Sequence, residues 1–171
     1  MIQLDFVAVL AQWPALLRGA GFTLALSGAA AVAGVGLGIA CGWARSSGPR
    51  ALAAVVSVYV ELIRNTPFIV QLFFIYFGLP TLGVRLSPEV AAIIAMVVNL
   101  GAYAAEIVRA GIATTPQGQL EAAHSLALTE AQVFTRVVLP PALGRAWPGL
   151  VSQIVIVMLG SAVCARSRRK S

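Results

Sequence analysis

Few side chains in this sequence can do chemistry, and their spacing limits what that chemistry is. Glu61 and Arg64 stand i, i+3, so a helix puts them on one face within pairing reach. Thr66-Pro67 follows directly. Proline removes a backbone donor and disfavours helical conformation in the residue before it, so a kink is expected there, with carbonyls left in need of partners. Ionisable groups inside apolar helices usually face a protein interior or an aqueous path. Glu61, Arg64, Thr66, Pro67 and Gln71 therefore read either as a polar lining at a broken helix or as an interfacial ion pair beside a kink. Asn99, Tyr103 and Glu106 follow i, i+4, i+7 and share one face of a second helix, a polar stripe that points inward. Glu106 and Arg109 repeat the i, i+3 spacing and can be a plain ion pair at a helix end. The aromatics after the kink, Phe73, Phe74, Tyr76 and Phe77, read as packing or lipid-facing residues.

Catalysis finds no constellation. The only lysine, Lys170, lies at the far end of the chain, so there is no phosphate-binding GxxxxGK[ST] loop, and neither HExxH nor GxSxG occurs. His124, the only histidine, has no cysteine or second histidine at ligand spacing and reads as a surface residue. Cys41 and Cys164 read as small buried residues. Catalytic residues, metal ligands and a bound cofactor are all expected to be absent, and the chain is not expected to be an enzyme.

The elements that must position these residues are apolar helices. Of 171 residues, 59% are hydrophobic and 11% charged, with a mean hydropathy of +0.89; soluble domains carry about 25% charged residues. Uncharged runs cover Gly19–Ala44, Asn65–Val84, Val90–Ala105 and Ala146–Ala165. A bilayer core needs about 20 apolar helical residues. Four spans are expected, near 20–44, 53–79, 89–108 and 147–165, with residues 4–17, including Trp13 and Pro14, lying along the interface. Gly34, Gly38 and Gly42 repeat at i, i+4, i+8 on the first span, a pattern that lets two helix backbones approach closely in lipid.

The net charge of +6 and a pI near 10.4 suggest nucleic acid only until the charges are placed. Arg166, Arg168, Arg169 and Lys170 crowd an atypical basic tail, 164–171; without them eight basic residues face six acidic ones. Arg45, Arg50, Arg109, Arg136 and Arg145 then mark one side as cytoplasmic, against Arg18 and Arg85 opposite. No nucleic-acid partner is expected.

The segment 111–147 is too long for a simple connector. Thr115-Pro116 suits an N-cap and first helical position, and Thr129-Glu130-Ala131-Gln132 suits a capping box. Two short helices are expected, 117–127 and 130–138, the second ended by Leu139-Pro140-Pro141. They form either a surface hairpin or a docking knob for a soluble partner.

Here the sequence resembles a known family. Glu121-Ala122-Ala123 followed by Leu139-Pro140 looks like the EAA loop of ABC importer permeases, and the surrounding text is similar to the polar amino-acid branch. The matching pieces are Arg18-Gly19, Thr23-Leu24, Glu61 to Pro67, Val70 to Phe73, Tyr76 to Pro80, Tyr103 to Gly111 and Gln117 to Gln119. The resemblance implies an all-α polytopic membrane bundle of about four transmembrane helices with a cytoplasmic coupling-helix loop, in the bacterial cytoplasmic (inner) membrane. It implies a permease domain over 1–163 lacking the last span of the family, and transport of a polar amino acid. The implied partners are an ABC ATPase subunit that uses ATP and Mg²⁺, an extracytoplasmic amino-acid-binding protein, a second permease subunit (as a homo- or heterodimer) and membrane lipid. Glu121, Ala122, Ala123, Ala127, Leu139 and Pro140 would carry coupling. Glu61, Arg64, Thr66, Pro67, Gln71, Asn99, Tyr103 and Glu106 would be pathway candidates. The family's glycine after EAA falls at Ala127: either this alanine takes a left-handed conformation, or the helix runs on. A membrane scaffold and a non-functional truncated permease are the competing readings.

Overall fold

The computed structural model describes residues 13–167, with side chains through Leu159; residues 4–12 of the expected interfacial segment and 168–171 of the tail lie outside the described residues. Helix α1 is Trp13–Ser47, so Trp13 and Pro14 open a long helix instead of lying apart from it. Helix α2, Arg50–Arg64, is followed by α3, Phe68–Thr81. Helix α4 is Pro88–Ala113 and α5 is Gln117–Ser125. Helix α6 opens at Glu130–Gln132, passes a π turn at Val133–Val138 and continues as Leu139–Ser167. Three of these are long and apolar enough to cross a membrane, and the α2–α3 pair makes a fourth if its halves count as one span.

The glycine stripe of α1 lies against α4. A Cβ at Gly34 would meet Leu100 at 2.9 Å, one at Gly42 would meet Val108 Cγ1 at 2.9 Å, and one at Gly38 would overlap the methyl of Ala104. Residue numbers rise together along both helices, so α1 and α4 are parallel. The chain must therefore return across the bundle between Ser47 and Pro88, and α2–α3 is that return. Against α6 the order reverses: Gly111 approaches Ala142, Gly149 approaches Ile107, and Val157 shares a cluster with Met96 and Leu100. Helices α4 and α6 are antiparallel, and α4 is the central element, buried at Ala91, Ala95, Leu100, Ala104, Ala105 and Val108. The Ser47, Ala113 and Glu130 ends share one side of the bundle.

Ser87 starts α4 by accepting from Val90 N–H at 3.3 Å, with Pro88 at the first position and Glu89 in the first turn. These are the residues helix starts favour, since proline needs no partner there and an acid suits the helix dipole.

One expected break is sharpened and two expected helix ends are corrected. The break expected at Thr66-Pro67 is present and sharper than a kink, a bend of 107° between the two halves of the second span. Helix α5 begins at Gln117 as expected, but its N-cap is Pro116 instead of Thr115 and it ends at Ser125, short of the expected 127. Leu139-Pro140-Pro141 does not end the helix. The wider π turn at Val133–Val138 directly precedes both prolines, and the helix runs on through them. The same device occurs at Phe74–Gly78, directly before Leu79-Pro80.

Candidate functional site

Chemistry-bearing side chains gather along one face of α4 and at the α2–α3 break. Glu106 is the centre of the first group. Its Oε2 accepts from Arg45 Nη1 at 2.6 Å and lies 3.6 Å from Arg64 Nη1; its Oε1 accepts from Arg109 Nε at 3.2 Å and also from Arg109 Nη2. Arg45 Nε donates to Ser57 Oγ at 3.1 Å, and the Arg64 guanidinium lies 5.7 Å from the Tyr103 ring centroid. One carboxylate thus joins α1, α2 and α4. The expected Glu61–Arg64 pair is replaced by Arg64–Glu106: among the described residues no ion pair joins Glu61, which is exposed. Helix spacing allows the local pair, but the α2–α4 packing offers Arg64 a carboxylate that is less exposed and already oriented.

The second group closes the break. Pro67 has no N–H for the carbonyl of Ile63, and Gln71 supplies one instead, Nε2 to Ile63 O at 2.7 Å. The same nitrogen reaches Thr66 O and Thr66 Oγ1 at 2.9 Å each, while Thr66 Oγ1 reaches Leu62 O at 2.9 Å. Gln71 Oε1 accepts from Asn99 Nδ2 at 3.0 Å, and both residues are 7% exposed. The shared face of Asn99, Tyr103 and Glu106 is therefore real, and each of the three meets α2 or α3.

The third group is the segment between α4 and α6. Helix α5 ends in a Schellman motif: Leu128 N–H reaches Ala123 O at 3.3 Å, Ala127 N–H reaches His124 O at 2.9 Å, and Ala127 has φ +54°. Of the two readings of Ala127, the left-handed one holds. Thr129 and Gln132 form the expected capping box. Ala123 is buried with Val133 and Val138 under Leu120, Leu128 and Phe134, whereas Glu121 and Ala122 are exposed and Leu126 is 75% exposed. Leu139 is half-buried and Pro140 exposed. His124 is exposed, 3.2 Å from Glu130. Trp43 of α1 packs edge-on to Phe134 across an open groove of about 620 Å³ lined by Ile39, Ala40, Glu130 and Thr135.

Sequence reasoning missed Arg45, Ser57 and Tyr59. The Tyr59 hydroxyl donates to Val98 O at 2.7 Å and pins α2 on α4. A signal for Arg45 existed: it lies i+3 from Gly42, on the stripe that faces α4.

Residues 34–165 match the family described as binding-protein-dependent transport system inner membrane component. The chain belongs to this family. Within it, the chain is 37% identical over 154 residues to the L-cystine transport system permease protein TcyB of Bacillus subtilis (strain 168), covering 90% of this chain and 66% of that protein. It is 37% identical over 157 residues to the glutamine transport system permease protein GlnP of Escherichia coli (strain K12), covering 91% and 72%. A crystal structure of an amino acid ABC transporter with histidines superposes with a TM-score of 0.83 at 34% identity, covering 96% of this chain and 77% of that one. The chain spans just under two thirds of the length of the cystine permease. The three groups above are places where this chain ties helix to helix, and Tyr59–Val98 and Arg145–Gly111 add two further polar bonds between helices.

Proposed function

We propose that this chain is the permease subunit of an ABC importer that moves a polar amino acid across the cytoplasmic membrane, driven by ATP and Mg²⁺ used in a separate ATPase subunit. The observation that carries the reading is the build of α5. Its exposed face offers Glu121, Ala122 and Leu126, while Ala123 is anchored against Val133 and Val138 of α6. A push on α5 therefore reaches α6 through a packed contact and two tight caps, a rigid-body link of the kind that converts subunit closure into tilting of spans. The amino-acid substrate is supported by the transport named for the cystine and glutamine relatives. An extracytoplasmic binding protein and a second permease subunit complete the assembly in this reading.

The test is co-purification with an ABC ATPase subunit from the same genome, followed by uptake of L-glutamine, L-cystine and L-arginine in proteoliposomes carrying a candidate binding protein. Glu121→Lys is expected to release the ATPase while the permease keeps its elution profile. An intact complex with Glu121→Lys removes α5 as the docking element, and a chain that retains no ATPase at all favours the scaffold reading.

A further inference from the structure

Helix α3 is held in an unusual way. Gln71 is its only buried residue among Phe68–Thr81, and Phe73, Phe74 and Phe77 are 54%, 75% and 60% exposed. Phe68 rests on the Leu26–Met96–Leu100 cluster at the start of the segment; beyond it Leu72, Ile75, Tyr76 and Leu79 are only half-buried, and among the described residues no other side chain of α3 joins a buried cluster. By contrast α2 is fastened to α4 through Tyr59–Val98, Arg64–Tyr103 and Arg64–Glu106. The hinge between them is the break at Asn65–Pro67.

The bonds across that hinge have a fixed direction. Ile63 O and Thr66 O can only accept, so the Gln71 end that faces them must be its NH₂ group. That leaves Oε1 towards α4, where Asn99 must donate. Two Gln71 hydrogens serve three acceptors, so the amide has nothing left to offer a solute, and no rotation of the amide keeps both sets of bonds.

We infer that Gln71 and Asn99 are positioning residues: they form a directional amide lock that holds α3 at its angle to α2 and ties it to α4, and its opening lets α3 swing during transport. The inference rests on the transport reading above but departs from the sequence-level placing of both residues in the solute pathway. Loss of one hydrogen bond at a 7%-exposed amide is small beside the packing of α1 on α4, so release is local.

Hydrogen exchange on the full chain in lipid nanodiscs tests this without any transport readout. In Asn99→Leu, protection of the amides in 68–81 is expected to fall about tenfold at every pH, with α1 and α4 peptides unchanged. In Asn99→Asp the same loss is expected at high pH, where the carboxylate cannot donate. Protection should return at low pH, where the protonated acid donates to Gln71 Oε1. Unchanged protection of 68–81 in both variants, a pH-independent loss in Asn99→Asp, or an equal loss throughout α1 and α4 would each overturn the lock. In proteoliposomes carrying ATPase and binding protein, Asn99→Leu is expected to lower kcat for L-glutamine and L-arginine by one common factor at unchanged KM. A KM change that differs between the two amino acids makes Asn99 a solute contact and overturns the lock. Wild-type vesicles that take up neither amino acid refute the importer reading alone, because the exchange result decides the lock separately.

Discussion

Replacing Ala127 by glycine should make the α5–α6 corner more stable, although it removes a side chain. Ala127 occupies the position after a helix C-cap with φ +54°, and the bonds from Leu128 to Ala123 O and from Ala127 to His124 O require that conformation. An L-residue there sets its Cβ against the following carbonyl, at a cost of roughly 1–2 kcal/mol. Glycine avoids that cost but gives up about 0.4–1 kcal/mol through the greater freedom of its unfolded chain. The methyl itself contributes little, since Ala127 is exposed. The balance is a gain of about 0.5–1 kcal/mol, or two- to fivefold slower local opening of the corner. Hydrogen exchange of the peptide 117–130 in nanodiscs reads this directly, and Ala127→Val gives the opposite sign because a branched Cβ is worse still in that region. Ala127→Gly exchanging faster than wild type, or Ala127→Val exchanging more slowly, would show that the corner is not held by the left-handed turn. If α5 transmits force, the glycine variant should also couple ATP use to uptake more tightly, and Ala127→Val less tightly.

Other perturbations probe the remaining ties. Gly38→Val forces a side chain into the methyl of Ala104 and is expected to cost about 1–3 kcal/mol, seen as a lower melting temperature in detergent; Gly36→Ala, with nothing within 4 Å of its added Cβ, should hold or raise the melt, since alanine is the better helix former. Glu106→Gln withdraws the carboxylate shared by Arg45, Arg64 and Arg109 and should cost about 2 kcal/mol in the same assay, whereas Glu61→Gln, at an exposed residue, should be silent. Thr129→Ala removes the cap on α6 and should cost about 1 kcal/mol, visible as faster exchange at 130–134 with α1 unaffected. Equal effects of Gly36→Ala and Gly38→Val, or of Glu61→Gln and Glu106→Gln, would contradict the packing described here.

Local signals were legible in the sequence wherever chain-near physics decides the outcome. The Thr129–Gln132 capping box, the break at Thr66-Pro67 and the inward face of Asn99, Tyr103 and Glu106 all depend on neighbours within seven residues. The failures have a common cause: each needed a partner from elsewhere or a backbone register that propensity does not encode. Arg64 prefers Glu106 to Glu61 because α2 crosses α4 at that level. Leu139-Pro140-Pro141 reads as a stop because proline breaks an α-helical ladder, yet the helix passes a π turn just before it and runs on through both prolines. The bend at Pro67 could be foreseen, its 107° angle could not, because the angle is set by Gln71 reaching back to Ile63 and across to Asn99.

The glycine stripe connects the two kinds of information. Gly34, Gly38 and Gly42 announce a close helix partner without naming it or its direction. Once α4 is known to lie there in parallel, alternation of spans requires α2–α3 to recross the bundle, despite its bend and despite the short length of each half. Parallel packing of α1 on α4 also brings Arg45 to Glu106, so a pattern that encodes only backbone approach fixes where the shared carboxylate must stand. Shortening the stripe's reach, as in Gly38→Val, should therefore weaken the Arg45–Glu106 pair as well as the packing. Combining Gly38→Val with Glu106→Gln should cost less than the sum of the two separate losses, and strict additivity would mean that the stripe and the charge cluster are independent features.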